Sequence, residues 1–405
     1  MSWRNSSLGE LAVRDGGLIQ TGPFGSQLHQ ADYQPEGIPV IMPKDIADGR
    51  VSVESIARIS EETANRLERH KLKPRSIVLP RRGEVTKRAF IRTEQEGWLC
   101  GTGCLKIELN GKELVPEFLY YFMEQGHVVQ WLEQHAVGTT MLNLSAGIVA
   151  ALPIRYPAAE TQVEIASILS TYDDLIENNR RRMALLEESA RLLYREWFVR
   201  LRFPGHEHTR IVDGVPEGWE RKTLGDLCKE ARELVLPDEV EPDTPYIGLE
   251  HMPRRSISLN EWGKAEQVTS SKHSFRAGEI LFGKIRPYFH KVGIAFVDGV
   301  CSSDAIVMRP LQEKQCGLVL MTVSSDEFIA VTAQTMKEGS KMPRADWKQM
   351  QQYLVQLPPD GLLNSFESVI QIVVEQLKTL SFTNQKLRAA RDLLLPRLMS
   401  DEIAV

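Results

Sequence analysis

The chain has 405 residues, 42% of them hydrophobic and 25% charged, and a net charge of −5. That length supports two or three domains with real cores, and its apolar runs, such as GIVAALPI, fall far short of the roughly 18 residues a membrane helix needs. The opening MSWRNSSLGELAV lacks a charged region ahead of an apolar core and does not read as a signal peptide. Five irregularly spaced cysteines predict reduced thiols in the cytoplasm.

In chain order, WRNSSLGEL (Trp3–Leu11) opens a series of short β runs broken by Gly, Pro and Asp. IPVIMPKDI, RSIVLP, AFIRT and CLKIEL follow it. PEFLYYFMEQGHVVQWLEQH predicts one helix over 116–135, opened by proline and with apolar residues at helical spacing. GTTMLNLSAG then leads to ALPIRYP, a strand that ends at Pro157. From Ala159 to about Val199 there is no proline or glycine, and 40 residues of helix would span roughly 60 Å. Its apolar positions follow 3–4 spacing through Ile165, Ile168, Tyr172, Leu175, Met183, Leu186, Ala190, Leu193 and Trp197, with Asn179 in the seam.

The whole series then recurs. WERKTLGDL (Trp219–Leu227) repeats the opening at an offset of 216. TPYIGLEHM parallels IPVIMPKDI, FRAGEILFGKIR parallels LKPRSIVLPRRG, and GVCSSDAIVM parallels WLCGTGCLKI. GSKMPRADWKQMQQYLVQLPP parallels GTTMLNLSAGIVAALPIRYP, by then at an offset of 201. A second helix, about Leu362 to Leu395, carries Val369, Val373, Gln376, Leu380, Thr383, Leu387, Ala390 and Leu394 in steps of four and three. That is a heptad seam, so the two helices are expected to pair as a coiled coil. Asparagines at matched places, Asn179 and Asn384, would set its register. The predicted fold is α+β: two repeated mixed α/β domains with two long helices. The boundaries are 1–158, a helix 159–200, a linker 201–217, 218–359, and a helix 360–398.

No catalytic constellation emerges. Gly278-Glu-Ile-Leu-Phe-Gly283-Lys284 imitates a phosphate-binding loop, but its interior reads as strand and no Ser or Thr follows the lysine. Asp243-Thr-Pro-Tyr246 resembles an amino-methyltransferase motif but lacks a proline and has no glycine-rich cofactor turn beside it. Cys100 and Cys104 have no second ligand pair, and His206-Glu-His208 fits a solvated turn. No cofactor or metal is expected.

The net charge argues mildly against nucleic acid, yet Arg69–Arg92 holds nine Lys or Arg and one acid. Arg81, Arg82, Lys87 and Arg88 lie in a Gly-containing turn between two strands, with Lys284, Arg286, Tyr288, His290 and Lys291 at the matching place. Such side chains neutralise phosphates, and arginine can fork onto the O6/N7 edge of guanine. Thr139, Thr140 and Asn143, with Lys341 and Arg344 in the second copy, form another candidate strip where small residues allow close backbone approach.

Taken together these features resemble the DNA specificity subunits of type I restriction–modification systems. The resemblance rests on G-W-x(4)-L-G-D-L, the G-E-I-L-F strand, G-S-K-M-P-R-A-D-W before L-P-P, and Asp173-Asp-Leu-Ile-Glu-Asn-Asn179 in a long helix. It implies two target recognition domains, each reading half of an asymmetric, bipartite double-stranded DNA site. It also implies antiparallel helices that space the half-sites and dock two methyltransferase (modification) subunits, through which restriction subunits join. Adenine methylation and cleavage would belong to those partners. An orphan DNA-targeting or coiled-coil scaffold subunit of another defence complex is the alternative.

Overall fold

The computed structural model describes residues 3–138, 141–334 and 343–403. It divides into two compact units, one of Met1–Asp174 with Leu387–Val405 and one of Leu175–Lys386.

In the first unit, the strand Arg4–Ser7 pairs antiparallel with Pro153–Tyr156, so the segment that closes the module lies against the one that opens it. Ser7 and Glu10 form a capping box at the start of the helix Leu8–Asp15. Gly9 allows that helix to touch the closing helix Ala146–Ala150, for a Cβ there would sit 2.9 Å from the Ala150 Cβ. The second unit repeats the construction with Glu220–Thr223 on Leu354–Leu357 and a Thr223/Asp226 capping box. The repeated S/T-L-G-E/D is therefore a helix start, and the L-P strands are its clasp.

Behind the clasp the first unit carries two four-stranded sheets. One runs Leu18–Thr21, Cys104–Glu108, Ile77–Pro80 and Ala89–Phe90 in spatial order. The second unit has the matching order Cys228–Ala231, Ala305–Pro310, Ile280–Gly283 and Val292–Ala295, extended by Ser258–Leu259. Ile77–Pro80 and Ile280–Gly283 are fully buried central strands with unbroken apolar runs. Gly278–Lys284 is thus strand, not phosphate loop, and Asp243–Tyr246 enters the strand Pro245–Ile247, where Asp243 pairs with Lys264 at 2.6 Å.

The single helix expected over 116–135 is two, Pro116–Phe122 and Gly126–His135. The extended backbone of Gln125, just before Gly126, breaks it. The second unit has the same pair, Cys316–Val323 and Asp326–Gln334. Among the described residues no single helix is long and apolar enough to cross a membrane.

The long helices are Ala159–Tyr194, continued by a π turn over Arg195–Val199, and Asp360–Met399. Within each unit their segments run antiparallel. In the first, Ile165, Ala166 and Leu169 share a core with Leu395, Leu398 and Met399. In the second, Met183, Ala190, Tyr194 and Phe198 pack with Leu380, Leu377, Ile370 and Phe366. Asn179 Nδ2 donates to Asn384 Oδ1 at 2.9 Å, a buried amide pair in the seam.

The expected seam needs correction on one of its two columns. Ile165, Asn179, Val373 and Leu380 are buried, and Tyr172, Leu186, Leu387 and Leu394 are half-buried. Leu175, however, is 46% exposed, and its inward neighbour is Ile176. Val369, Gln376 and Thr383 also point outward, while Ile370, Leu377 and Asn384 point in. A 4-3 stripe can be phased on either side of its strongest column, and packing selected the other side.

Each long helix also caps its recognition domain. Gln162 accepts the Val115 N–H at 2.8 Å, ahead of Pro116–Phe122. Glu367, the corresponding residue, accepts the Gly317 N–H at 2.8 Å at the start of Cys316–Val323. A carboxylate completes each attachment. Asp173 accepts from Tyr121 Oη at 2.7 Å and pairs with Arg391. Glu187 accepts from the Ser256 and Ser258 hydroxyls, both at 2.7 Å, and pairs with Arg191 at 2.9 Å.

Candidate nucleic-acid interface

The two basic turns leave the buried central strands at equivalent points and are built on one backbone pattern. The Arg81 N–H donates to Gly103 O at 2.7 Å, as the Lys284 N–H does to Asp304 O at 2.7 Å. The Arg81 carbonyl accepts from the Leu144 N–H at 2.8 Å, and the Lys284 carbonyl from the Ala345 N–H at 2.9 Å. Arg82 forms a β-bridge to Asn143, as Ile285 does to Arg344. The Gly83 and Arg286 N–H groups reach Leu142 O and Pro343 O at 3.0 and 2.9 Å. The two candidate strips of each module, distant in sequence, therefore form one two-stranded ledge: Arg81–Gly83 with Asn143, and Lys284–Arg286 with Arg344.

Gly83 has φ +80°, a left-handed position that glycine takes without strain. Arg286 occupies the same place with φ +49°, and His290 follows with φ +55°. A branched-off Cβ in that region costs on the order of 1–2 kcal/mol. The surrounding bonds enforce it, as at sites that hold strain for function.

The candidate cations then separate by what the fold already does with them. Arg82 and Arg286 are exposed, and among the described residues they hold no ion pair. Arg81 is half-buried over the Phe24 ring, with its Nε buried and unpartnered. Tyr288 is 52% exposed at the tip of the second turn. Lys284 Nζ donates to Ser303 O at 3.0 Å, Arg344 pairs with Asp304 at 3.1 Å, and Lys87 pairs with Glu84 at 2.5 Å. These three are tethered but stay at the surface.

Three expected contacts are turned inward instead. Arg88 pairs with Glu124 at 2.6 Å and donates to Tyr120 O at 3.1 Å, and burial pulls its pKa down to about 10. His290 is 5% exposed with Nε2 on Ser324 O at 2.7 Å, and burial lowers its pKa. Lys291 Nζ donates to Leu249 O, and burial lowers its pKa as well. In each the aliphatic or aromatic body fills the base of the turn and the polar atoms bond to the protein. Thr139, Thr140 and Lys341 lie outside the described residues.

Sequence reasoning missed Phe24 beside Arg81, and Phe289 with Arg254 beside Arg286. Arg286 lies 5.8 Å from the Phe289 ring centroid and Arg254 lies 4.2 Å from it. The G-P-F-G and P-R-R runs that hold two of them were visible but had no partner in sequence.

Nothing in the described residues competes with this surface as a reaction centre. Burial pushes the Cys100 thiol up to about 12 and raises the Cys104 thiol well above its ordinary value, which disfavours the thiolate a metal needs. Among the described residues no group of three or more His, Cys, Asp or Glu is arranged to hold a metal ion.

Comparison with known proteins matches this architecture. The chain is 25% identical over 313 residues to the type I restriction enzyme MjaIX specificity subunit of Methanocaldococcus jannaschii, covering 72% of this chain and 70% of that one. It is 20% identical over 387 residues to the HindI specificity subunit of Haemophilus influenzae, covering 78% and 83%. The fold matches the crystal structure of a type I restriction–modification S subunit from M. genitalium with a TM-score of 0.58 at 15% identity, over 98% of this chain and 96% of that chain. The type I restriction modification DNA specificity domain matches twice, over residues 2–188 and 216–378. With both repeats matched, the chain belongs to the type I restriction modification DNA specificity domain family.

Proposed function

We propose that this chain is the DNA specificity subunit of a type I restriction–modification complex, in which the ledge of each module reads one half of an asymmetric, bipartite site. The single observation that carries the assignment of the ledges is their construction. Two segments far apart in sequence are bonded into the same backbone frame in both modules, and the frame presents Arg81 and Arg82 in one and Lys284 and Arg286 in the other. A shared frame with different side chains suits two readers of different bases. Asn143, Arg344, Lys87 and Tyr288 border the same surfaces, and Thr139, Thr140 and Lys341 extend the proposal along the chain on either side of the strips. Arg88, His290 and Lys291 are left out of it, since their polar atoms serve the fold.

In this reading the recognition domains are residues 1–158 and 218–359, and the helices 159–200 and 360–398 are the docking elements for two methyltransferase (modification) subunits. Restriction subunits join through those. Methyl transfer to adenine and DNA cleavage are the partners' chemistry, performed in the cytoplasm, and this chain supplies the address.

The test is the pattern of methylated adenines in the genome of cells that carry the chain with its modification subunits. Arg81→Glu with Arg82→Glu places two negative charges beside the phosphates of one half-site, and Lys284→Glu with Arg286→Glu does so in the other. Each double variant is expected to lower methylation at least about tenfold, since each lost or reversed phosphate contact weakens binding and steepens its salt dependence. Unchanged methylation in both would remove the turns from the interface.

A further inference from the structure

Each module holds one arginine of its ledge against a phenylalanine, and the two arrive there by different routes. Arg81 lies 5.7 Å from the centroid of Phe24, which belongs to the loop after the strand Leu18–Thr21. Arg286 lies 5.8 Å from Phe289, three residues further along its own turn. The rings therefore do not correspond in the repeat, and neither do the arginines. Arg81 matches Lys284, and Arg286 matches Gly83 in the shared backbone frame. The same pair has been assembled twice from non-equivalent positions.

A phosphate contact has no need of this arrangement. A flexible ammonium or a free guanidinium serves it, as the exposed Arg82 and the Lys284 ammonium can. A guanidinium held against an aromatic face has its plane fixed, so its donor edge points outward with little rotamer freedom left to lose. Among the described residues neither guanidinium has a carboxylate partner, in contrast to Lys87 with Glu84 and Arg344 with Asp304. Phe24 remains 54% exposed beside Arg81 and Tyr288 52% exposed beside Arg286, so a planar surface stands next to each fork. Arg286 also adopts, at φ +49°, the left-handed backbone that glycine takes without strain in the other module.

We propose that Arg81 and Arg286 are the guanine readers of the two half-sites, each forking onto a guanine O6/N7 edge from the face of a phenylalanine. The proposal rests on the ledges being the DNA interface, and adds that these two side chains specify a base. Arg82 in the first module and Lys284 in the second then supply phosphate contacts, which hold position without choosing sequence.

The experiment compares methylation motifs mapped across the genome for the wild-type complex and for Arg81→Lys, Arg286→Lys, Arg82→Lys, Phe24→Leu and Arg286→Gly. Arg81→Lys keeps the charge and removes the fork, so one guanine in one half-site should lose its preference about tenfold or more while the other half-site stays strict. Arg286→Lys should relax one guanine in the other half. Phe24→Leu should relax the same position as Arg81→Lys, and Arg82→Lys should leave the motif unchanged. Arg286→Gly relieves the strained backbone, so it should melt no lower than wild type and yet lose its guanine, which separates recognition from folding.

A wild-type motif with no guanine in a half-site overturns the proposal for that module. So does a motif unchanged by the lysine variant while the double charge reversals abolish methylation, an outcome that keeps the ledge as a backbone contact. If the double reversals too leave methylation intact, the interface itself is misplaced.

Discussion

The two basic turns have the same skeleton and place their charges differently on it. In the first module the cations sit at the first two positions of the ledge, and a glycine takes the left-handed third. In the second they sit at the first and third, with Ile285 between them and an arginine forced into the left-handed place. Beneath the turns the modules again match, each using a long-helix residue to cap a domain helix and a carboxylate–arginine pair to complete the attachment. Backbone hydrogen bonds thus fix where the ledge side chains stand, while the residues placed on that frame differ between the modules. Under the proposed reading, specificity can change at the ledge without disturbing the attachment.

The largest expected effect breaks the symmetry of the attachments. Glu187 is 5% exposed and serves two serine hydroxyls and Arg191, so Glu187→Leu leaves buried polar groups unpaired and should cost about 3–5 kcal/mol in denaturant unfolding of the full chain. Asp173 and Arg391 keep 21% and 19% of their side chains in water. Asp173→Leu should therefore cost less, about 1–3 kcal/mol. Equal costs would mean that burial does not separate the two attachments.

The seam gives the next test. Asn179→Leu alone strands the Asn384 amide in apolar surroundings and should cost about 1–3 kcal/mol, whereas adding Asn384→Leu should return most of it. A double variant as unstable as the sum of the singles would deny the amide pair a cooperative role.

His70 offers a pH test confined to the first module. Burial, with Arg69 and Lys106 nearby, drives its pKa down to about 4 in the folded chain. The unfolded state then binds the proton more readily, so this stability is complete above about pH 6.5 and drains away as pH falls toward 4. His70→Leu should flatten the fall of melting temperature across that window, and an unaltered slope would assign it to other groups.

A final comparison sets two glycines side by side. A methyl at Gly9 meets Ala150 at 2.9 Å, while at Gly225 the nearest atom is the Gln351 Cβ at 3.3 Å. Gly9→Ala should destabilise by about 1–3 kcal/mol through overpacking, and Gly225→Ala by less. The reverse order would mean that the clasp of the second module is the tighter one.

How much of this was legible before folding depends on whether the information was local. The central strands and the helix start at Pro116 were readable because Ile77–Pro80 and Pro116 act on their own neighbours, and Ser7-Leu-Gly-Glu10 carried an equally local capping signal that went unread. The outer column of the seam was not, because Val369 and Ile370 are equally apolar and only the packing partner decides which turns inward. The sites divide in the same way. A run such as K-R-A-F contains a tethered Lys87 and a buried Arg88, and nothing in the run says that Glu124 waits 36 residues downstream. Phe24 lies 57 residues before the arginine it supports, so only the fold could bring the pair together.

The most direct test of one reader per module exchanges ledge chemistry between the modules. The pair of variants to map is Arg81→Lys and Arg286→Gly, each in the complete methyltransferase complex. With one reader per module, the two genome-wide methylation motifs are each relaxed at one guanine, in opposite halves of the same bipartite site. Relaxation of the same half by both variants, or of both halves by either one, would contradict it.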